Sequence, residues 1–285
     1  MDLKLLDLFS GIGGFSYAAE HLVGGYKTIG FCEIDESCQL VLKKHWPNTR
    51  IWNDVRTMYV QKEDCDVITA GFPCQDLSIA GKQLGLDGER SSLFYEVMRL
   101  VREVRPRYVL LENVANLLSH KNGETFQEVL FQIAKAGYDA EWSVIPASDV
   151  GACHKRNRVW IIAYTCSQRR DKPSHALCPG RHPAVGGFAT DTSGVNLQGC
   201  GAQGLSEQQA PGGPWGTLWS YQGIERLNPD WHSYISKPVL RRGDDGLSNR
   251  VHRLKQLGNS IVPQVAAIPL KRILELESLN SIPAN

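Results

Sequence analysis

Cys74 stands directly after a short apolar segment, at a position where a reactive thiol could work. Residues 66–70 have the length and composition of a buried strand, and Phe72 and Pro73 lead from it to the cysteine. A loop at a strand end gives a nucleophile a fixed and partly exposed position, and a thiol is intrinsically nucleophilic. The pattern therefore favours Cys74 as a nucleophile, with a structural buried thiol as the alternative.

Two further groups are predicted to meet Cys74 in one crevice. Glu112 follows the next apolar strand, and an acid among apolar residues can be desolvated and keep its proton near neutral pH. If the basic stretch before residue 160 leads into a strand, His154, Arg156 and Arg158 share one face. Its two arginines could hold a carbonyl and a phosphate. The alternatives are a Glu112 that caps a helix and a basic stretch that is a solvated strand edge.

A glycine turn between the first strand and the first helix indicates a cofactor site. Gly11, Gly13 and Gly14 form G-x-G-G, which lacks the spacing of pyrophosphate-binding and P-loop motifs and suits a ligand with a carboxylate instead. Glu33, at the end of the second strand, could accept the ribose hydroxyl protons, and Asp54 could hold an adenine amino group. Together these residues predict S-adenosylmethionine, although glycines also occur in ordinary tight turns.

A thiol, a proton donor and a sulfonium methyl donor fit one reaction well, the methylation of cytosine at C5. This carbon is too weakly nucleophilic to take a methyl group directly. Addition of a thiolate at C6, with N3 protonated by an acid, makes C5 enamine-like. Loss of the C5 proton after methyl transfer then expels the thiol.

Composition and charge set the outer limits. The 285 residues, 42% of them hydrophobic, suit one large domain or a catalytic domain that carries a smaller one. The chain start lacks a basic signal-peptide region and no apolar run is long enough for a membrane span, so we expect a cytoplasmic protein with no membrane partner. The eight cysteines form no C-x-x-C pair, so no metal is expected.

The charge is divided between the two halves of the chain. Residues 1–149 hold 15 basic and 21 acidic residues, and residues 150–285 hold 16 and 9, although the net charge of the whole is only +1. The basic half is the one expected to meet an anion such as DNA, unless the charges cluster by chance.

Alternating strands and helices predict an α/β fold with a mainly parallel sheet covered on both faces. The expected strands are 3–8, 27–33, 66–70, 107–111, 138–145 and 157–164, and the expected helices are 15–22, 36–45, 91–104, 124–136 and 263–279, the last kinked at Pro269. The pattern stops near Tyr164, and residues 165–225 are rich in Gly, Ser, Gln and Pro. The predicted organisation is a catalytic and cofactor-binding domain over 1–164, a target-recognition segment over 165–238 and a returning segment over 239–285.

Taken together, the motifs resemble the DNA (cytosine-5)-methyltransferase family. The matching strings, in the family's order, are DLFSGIGGF (7–15), GFPCQDLSIAGKQLG (71–85), ENV (112–114), HKRNR (154–158) and RLKQLGNSIVPQ (253–264). The resemblance implies a Rossmann-like S-adenosylmethionine-dependent methyltransferase sheet with a small, irregular target-recognition domain. It also implies a monomer of bacterial or phage origin that flips cytosine out of double-stranded DNA, with or without a companion restriction endonuclease.

The resemblance also implies roles for individual residues. The cofactor pocket would be lined by Phe9, Gly11, Gly13, Glu33, Asp54 and Pro73, and closed by Asn259. The catalytic set would be Cys74, Glu112, Arg156 and Arg158, with the two arginines positioning the base and the Cys74 loop. Phosphate contacts would come from Arg169, Arg170, Lys172, Arg181, Arg241, Arg242, Arg250 and Arg253.

Some positions depart from the family pattern. His154 stands where the family usually has Gln, and a histidine can keep the hydrogen bond. Asn53 replaces a common Gly before Asp54. The recognition segment is short, and the apolar block often found beyond residues 227–231 is absent, which bears on sequence specificity and activity.

Three other functions compete with DNA methylation. An RNA cytosine-5 methyltransferase is disfavoured because its relatives tend to have a second proline where Phe72 stands. An inactive DNA-binding homologue would usually have lost the cysteine, the glutamate or the glycine turn, and all three are present. A small-molecule methyltransferase would not need a separate basic segment.

Exchanging residues 165–238 for the corresponding segment of another family member should change the methylated sequence, because the α/β pattern breaks there and basic residues flank the break. Bisulfite sequencing of DNA from cells that express the hybrid measures the outcome. A hybrid that still modifies the original site contradicts the assignment of recognition to this segment.

Overall fold

A computed structural model of the chain describes residues 2–62, 64–73, 93–165, 219, 224 and 257–280. All of these residues belong to one compact unit that is formed by residues 1–165 and 217–285. Cys74 and the basic residues proposed to contact phosphates lie outside the described residues. None of the described helices is both long and apolar enough to span a membrane.

A seven-stranded sheet forms the centre of this unit, in the order β3-β2-β1-β4-β5-β7-β6. The strands are β1 (Leu3–Leu8), β2 (Tyr26–Cys32), β3 (Arg50–Trp52), β4 (Val67–Gly71), β5 (Tyr108–Val114), β6 (Asp139–Ile145) and β7 (Arg158–Tyr164). The first five pair in parallel, and β7 runs antiparallel to both of its neighbours. The α/β, mainly parallel sheet that the sequence predicts is confirmed.

Strand β5 extends further than the sequence pattern indicates. Its apolar run ends at Leu111, so the sequence places Glu112 after the strand, yet the strand continues to Val114. Antiparallel pairing with β7 supplies the reason, since Glu112 lies opposite Trp160 and Val114 lies opposite Arg158. Pairing with β7 keeps the polar residues Glu112 and Asn113 in the sheet, and the local sequence pattern of β5 does not reveal this pairing.

Helices cover the sheet on both faces. They are α1 (Gly14–Tyr17), which continues as a π-helix (Ala18–Val23), α2 (Glu36–His45), α3 (Leu93–Val104), α4 (Glu124–Lys135) and α5 (Pro263–Asn280). Short 3₁₀ turns occupy Ala115–Leu118, His120–Gly123 and Ala147–Val150. The predicted helices therefore form near their expected bounds, and α5 continues past Pro269.

Each face of the sheet has its own apolar core. On one face α3 and α4 bury residues such as Phe94, Val101 and Val129 against the sheet. On the other face α1, the π-helix and α5 pack around Phe15 and Trp160. Helix α5 comes from the far end of the chain, so residues of the C-terminal segment contribute to the core of the N-terminal sheet.

Trp219 contacts this second core although it lies within the segment assigned to target recognition. Its side chain is buried, and its indole N–H donates to Glu141 Oε1 at 3.1 Å. Arg272 of α5 also donates to Glu141, from Nε to Oε1 at 2.8 Å. An exchange of the recognition segment needs to retain Trp219, because its loss would leave a gap beside α5.

A buried carboxyl group joins β1, β4 and α1. Thr69 Oγ1 donates to Asp7 Oδ1 and Ser16 Oγ donates to Asp7 Oδ2, each at 3.0 Å. Ser10 Oγ donates to the carbonyl oxygen of Asp7 at 2.6 Å. Burial raises the pKa of Asp7 to about 7, and the donors from Thr69 and Ser16 oppose that rise.

Asp7→Asn should remove a pH dependence of stability. The folded pKa of about 7 lies well above the ordinary value of an aspartic acid, so the folded state holds the proton better than the unfolded state. The Asp7 contribution is therefore present at pH 4 and is lost as the pH rises to 7, with a limiting slope of about 1.4 kcal/mol per pH unit. Asparagine does not titrate. The unfolding free energy of the wild type minus that of the variant should therefore decrease as the pH rises from 4 to 7.

Urea unfolding of both proteins across this pH range measures that difference. Asp64→Asn, at an exposed position, is the matched control and should follow the wild type. Parallel curves for wild type and Asp7→Asn would contradict a buried, proton-holding carboxyl group.

Candidate active site

The crevice of this sheet opens where β1 and β4 end. After β1 the chain crosses to β2 on one side, and it reaches β4 on the other side only after β3, so the direction of strand progression reverses between β1 and β4. Open α/β sheets bind their ligands at such a reversal, beside the carboxyl ends of the strands. The described residues of the predicted site cluster around this crevice.

The glycine turn after β1 depends on two glycines with positive φ. Gly11 has φ 54° and Gly13 has φ 88°. A Cβ at Gly13 would lie 2.7 Å from the ring of Trp46, so a side chain cannot fit there, whereas a Cβ at Gly11 would meet no atom within 4 Å. Phe9 also has a positive φ, 54°, immediately before the turn. The turn is therefore tightly packed behind Gly13 and open beside Gly11.

Glu33 is joined to this turn by its carboxylate. One carboxylate oxygen accepts from the Gly11 N–H at 2.7 Å and the other accepts from the Asp35 N–H at 2.8 Å. The Glu33 N–H donates to the Trp52 carbonyl at 2.9 Å. The predicted ribose-binding acid thus lies beside the open glycine, and the structure brings Phe9, Gly11, Gly13 and Glu33 together.

Asp54 lies on the same side of the crevice. Its Oδ1 accepts from the Arg56 N–H at 2.9 Å, which closes a turn after β3. Burial, together with the nearby charges of Asp54 and Glu33, raises the pKa of the Cys32 thiol to about 12. Because Cys32 is the last residue of β2, the two acids flank the end of that strand. Asn53, which departs from the family pattern, accepts from Gln39 Nε2 at 3.1 Å.

The Glu112 carboxylate lies on the opposite side of the crevice, on β5. Arg158 Nε contacts Glu112 Oε1 at 2.8 Å, and the Glu112 side chain is only 12% exposed. Burial raises the pKa of Glu112 above its ordinary value, while Arg158 and Arg156 oppose the rise. The neighbouring strand has Gly71 opposite Glu112, where a Cβ would lie 3.3 Å from Glu112 Oε2. This acid is therefore desolvated, oriented by an arginine and adjacent to the end of β4.

The segment that leads to Cys74 is held by the residue after Glu112. Asn113 is buried, and its Nδ2 donates to the Phe72 carbonyl at 3.0 Å. Pro73 follows and is exposed. Because Asn113 and Glu112 are adjacent on β5, the acid and the start of the Cys74 loop share one support. Sequence analysis did not single out Asn113, although it lies within the ENV string.

The two arginines of the basic stretch have different partners. Arg158 begins β7 and pairs with Glu112, whereas Arg156 precedes the strand, has φ 35° and donates to the carbonyl groups of Gly258 and Ser260. The alternation expected over residues 154–158 applies only to a strand, and the strand begins at Arg158. His154 is exposed. Residues 154–157 precede the strand, so strand geometry does not place His154, Arg156 and Arg158 on one face.

Asn259 lies next to the contacts that Arg156 makes with the C-terminal segment. Asn259 is exposed and lies between the two residues whose carbonyl groups Arg156 contacts. The sequence pattern did not single out Asp7, which follows the apolar pair Leu5 and Leu6 in the strand of residues 3–8, where a buried charged residue indicates a polar contact. Within the described ranges, no three His, Cys, Asp or Glu side chains group closely enough to hold a metal ion.

Comparisons with known proteins agree with these observations. Residues 3–184 match the family model of the C-5 cytosine-specific DNA methylase. The chain is 35% identical over 162 residues to the Type II methyltransferase M.DsaV of Dactylococcopsis salina, covering 57% of this chain and 46% of that protein. It is also 35% identical over 162 residues to the Type II methyltransferase M.HhaI of Haemophilus parahaemolyticus, covering 57% and 49%.

One similar solved structure is the Dnmt2 methyltransferase of S. pombe, with 20% identity and a TM-score of 0.49. That match covers 57% of this chain and 51% of the other. The chain thus spans about half of the length of the curated relatives it matches.

Glu33→Ala should weaken the binding of S-adenosylmethionine and leave DNA binding nearly intact. The carboxylate lies beside the open position at Gly11, and its loss removes the acceptor expected for a ribose diol. We expect about a tenfold or greater rise in the dissociation constant, measured by isothermal titration.

Glu36→Ala, at an exposed position on the same connection, is the control and should bind the cofactor like the wild type. Thermal unfolding of both variants checks that the turn remains folded without the Glu33 bonds. Unchanged affinity in a folded Glu33→Ala protein would remove Glu33 from the cofactor site.

Proposed function

Since the chain belongs to the C-5 cytosine-specific DNA methylase family, we propose that it transfers a methyl group from S-adenosylmethionine to C5 of cytosine in a specific sequence of double-stranded DNA. The observation that supports this most directly is the buried Glu112 carboxylate, paired with Arg158 and adjacent to the end of β4. An acid so desolvated, next to the residue that holds the Phe72 carbonyl two positions before Cys74, suits an enzyme that protonates a base while a thiol attacks it.

The residues on the other side of the crevice suit S-adenosylmethionine. The turn offers open space at Gly11 and lacks the glycine spacing that fits a pyrophosphate. Glu33 has both carboxylate oxygens engaged by one N–H each, and each oxygen has a second lone pair for a ribose hydroxyl. Phe9, Gly11, Gly13, Glu33 and Asp54 hold this cofactor in our proposal, with Pro73 and Asn259 at its edges. When bound, it supplies an electrophilic methyl group.

The protein's own groups activate the base. The Cys74 thiolate adds to C6 of cytosine, the C5–C6 π electrons shift to form a C4–C5 double bond, and the electrons of the C4–N3 double bond move to N3, which takes a proton from Glu112. Glu112 holds a proton at N3, so the ring does not accumulate negative charge. C5 becomes nucleophilic and takes the methyl group. A solvent base then takes the C5 proton, the C5–C6 double bond re-forms as the Cys74 thiolate leaves C6, and the proton on N3 returns to Glu112.

Arg158 has a double effect on this proton. Its contact with Glu112 orients the carboxyl group, and its positive charge lowers the pKa that burial raises. Burial thus favours the protonated form of Glu112, and Arg158 favours the carboxylate. Arg158 is therefore proposed to position the acid and to contact the base.

The target base cannot be reached inside a duplex, so the enzyme flips it out at a cost of roughly a few kcal/mol. Phosphate contacts by basic residues within and after the recognition segment offset part of that cost. We propose residues 1–164 as the catalytic and cofactor-binding domain, 165–238 as the target-recognition segment and 239–285 as the segment that returns to the catalytic domain.

The substrate class can be tested directly. Methyl transfer from labelled S-adenosylmethionine should appear on duplex DNA and not on transfer RNA. Bisulfite sequencing of the product should then show modified cytosines in one recurring sequence. Transfer to RNA alone would favour an RNA cytosine-5 methyltransferase, and DNA binding without any transfer would favour an inactive homologue.

Cys74→Ala should abolish methyl transfer, because no other proposed group can activate C5. DNA binding and folding should persist, since flipping and phosphate contacts do not need the sulfur. A duplex with 5-fluorocytosine at the target gives a second measurement. Fluorine cannot leave as a cation, so elimination stalls after methyl transfer, and the wild-type protein should form a denaturation-resistant adduct only with S-adenosylmethionine present.

Cys153→Ala is the matched control, because Cys153 is an exposed thiol, and its adduct should equal that of the wild type. Denaturing gel electrophoresis separates the adduct from free protein. An adduct that persists in Cys74→Ala, or an active wild type that forms none, refutes the covalent mechanism.

A further inference from the structure

Arg156 connects the loop before β7 to the far end of the chain. Its Nη1 donates to the Gly258 carbonyl at 2.9 Å and its Nη2 donates to the Ser260 carbonyl at 3.0 Å. The residue between the two acceptors is Asn259. A planar guanidinium that binds two carbonyl groups restrains both the position and the direction of that segment. The segment of residues 257–261, which we call the C-terminal arm, is therefore held on both sides of Asn259.

The backbone of Arg156 adopts an uncommon conformation to make these contacts. Its φ is 35°, a value that costs free energy for any residue with a side chain. Its neighbours are held in place, since the Lys155 carbonyl accepts from the Ala147 N–H at 2.7 Å and Arg158 pairs with Glu112. Backbone strain of this kind persists where surrounding contacts require it, and it concentrates at functional sites.

The C-terminal arm also reaches the glycine turn. A Cβ at Gly14 would lie 3.2 Å from Ile261 Cβ and 3.3 Å from the Ile261 carbonyl oxygen. A Cβ at Gly71, at the end of β4, would lie 3.8 Å from Ile261 Cδ1. Ile261 thus lies beside Gly14, at the start of α1, and beside Gly71, at the end of β4. A shift of the arm would change the crevice between the glycine turn and the end of β4.

We propose that Arg156 is a positioning residue for the cofactor pocket, whose two bonds hold the C-terminal arm against the glycine turn so that Asn259 closes the pocket. This inference rests on the proposed function, which supplies S-adenosylmethionine as the ligand. It differs from the role predicted from the sequence, in which Arg156 positions the base and the Cys74 loop. The two roles have different consequences, since one affects cofactor affinity and the other affects DNA affinity.

Arg156→Lys separates the two roles. Lysine keeps the positive charge, but its single ammonium group cannot reproduce the planar two-carbonyl contact. We expect S-adenosylmethionine to bind about tenfold more weakly by isothermal titration, and DNA affinity without cofactor to change by less than about twofold. Loss of DNA affinity with unchanged cofactor affinity would overturn the inference.

Arg105→Lys is the matched control. Arg105 also has a positive φ, 59°, and its Nη1 donates to the Ala136 carbonyl at 2.8 Å, but it lies at the end of α3 away from the crevice. Its replacement should leave cofactor affinity unchanged. An equal loss in both variants would indicate a general effect of arginine removal and would contradict a specific role for Arg156.

A double-mutant cycle tests whether Arg156 acts through Asn259. If it does, Asn259→Ala and the Arg156→Lys/Asn259→Ala double variant should bind S-adenosylmethionine equally weakly. Additive losses would show that Arg156 acts by another route. Gly14→Ala offers an independent perturbation, since its Cβ would displace the arm at Ile261, and unchanged affinity in that variant would also overturn the inference.

These outcomes are distinguishable from a failure of the proposed function. Wild-type protein that does not bind S-adenosylmethionine would remove the cofactor assignment itself. Wild-type binding together with an unaffected Arg156→Lys variant would remove only the positioning role. If Arg156→Lys does not fold, as judged by circular dichroism, the Gly14→Ala and Asn259→Ala measurements decide the question.

Discussion

The Asp7 carboxyl group joins the two sides of the crevice. Through Ser16 it is connected to the helix that follows the glycine turn, and through Thr69 to β4, the strand that precedes Cys74 in the sequence. A fully buried carboxyl group costs free energy unless its partners compensate, so β1, β4 and α1 cannot separate without leaving it unsatisfied. The relative placement of the glycine turn and the end of β4 depends on this group, which has no predicted chemical role.

Close approach between elements is the second constraint, and glycine makes it possible. Gly13 leaves room for the Trp46 ring, Gly14 for the C-terminal arm, and Gly71 for the Glu112 carboxylate. Trp46 is itself held from the other side, because its indole N–H donates to Glu20 Oε2 at 2.7 Å. The glycines of the motif therefore serve packing as much as backbone conformation, and each one allows a specific neighbour to reach the crevice.

Charge is distributed unequally around the crevice. On the proposed cofactor side, Glu33 accepts hydrogen bonds from two backbone N–H groups. On the base side, Glu112 is compensated by Arg158, with Arg156 close enough to influence the pKa of the acid. Burial lowers the pKa of Arg156 itself, because its guanidinium is partly withdrawn from water toward the C-terminal arm. The same basic stretch thus contributes to both sides of the proposed reaction.

Much of this protein follows from the sequence alone. Short, continuous apolar runs indicate parallel strands that are buried on both faces. The glycine turn and Glu33 follow the ends of two such strands, and Glu112 lies near the end of a third. Local pattern therefore establishes which residues meet at the carboxyl edge of the sheet. It does not establish long-range partners, since those depend on pairing between segments far apart in the chain. Strand β7 extends β5 beyond Leu111, and Arg156 turns toward carbonyl groups 102 and 104 residues away. Such contacts are decided only when the tertiary fold brings the two ends of the chain together, because hydrogen bonding to a carbonyl depends on its position and not on the identity of the residue that carries it.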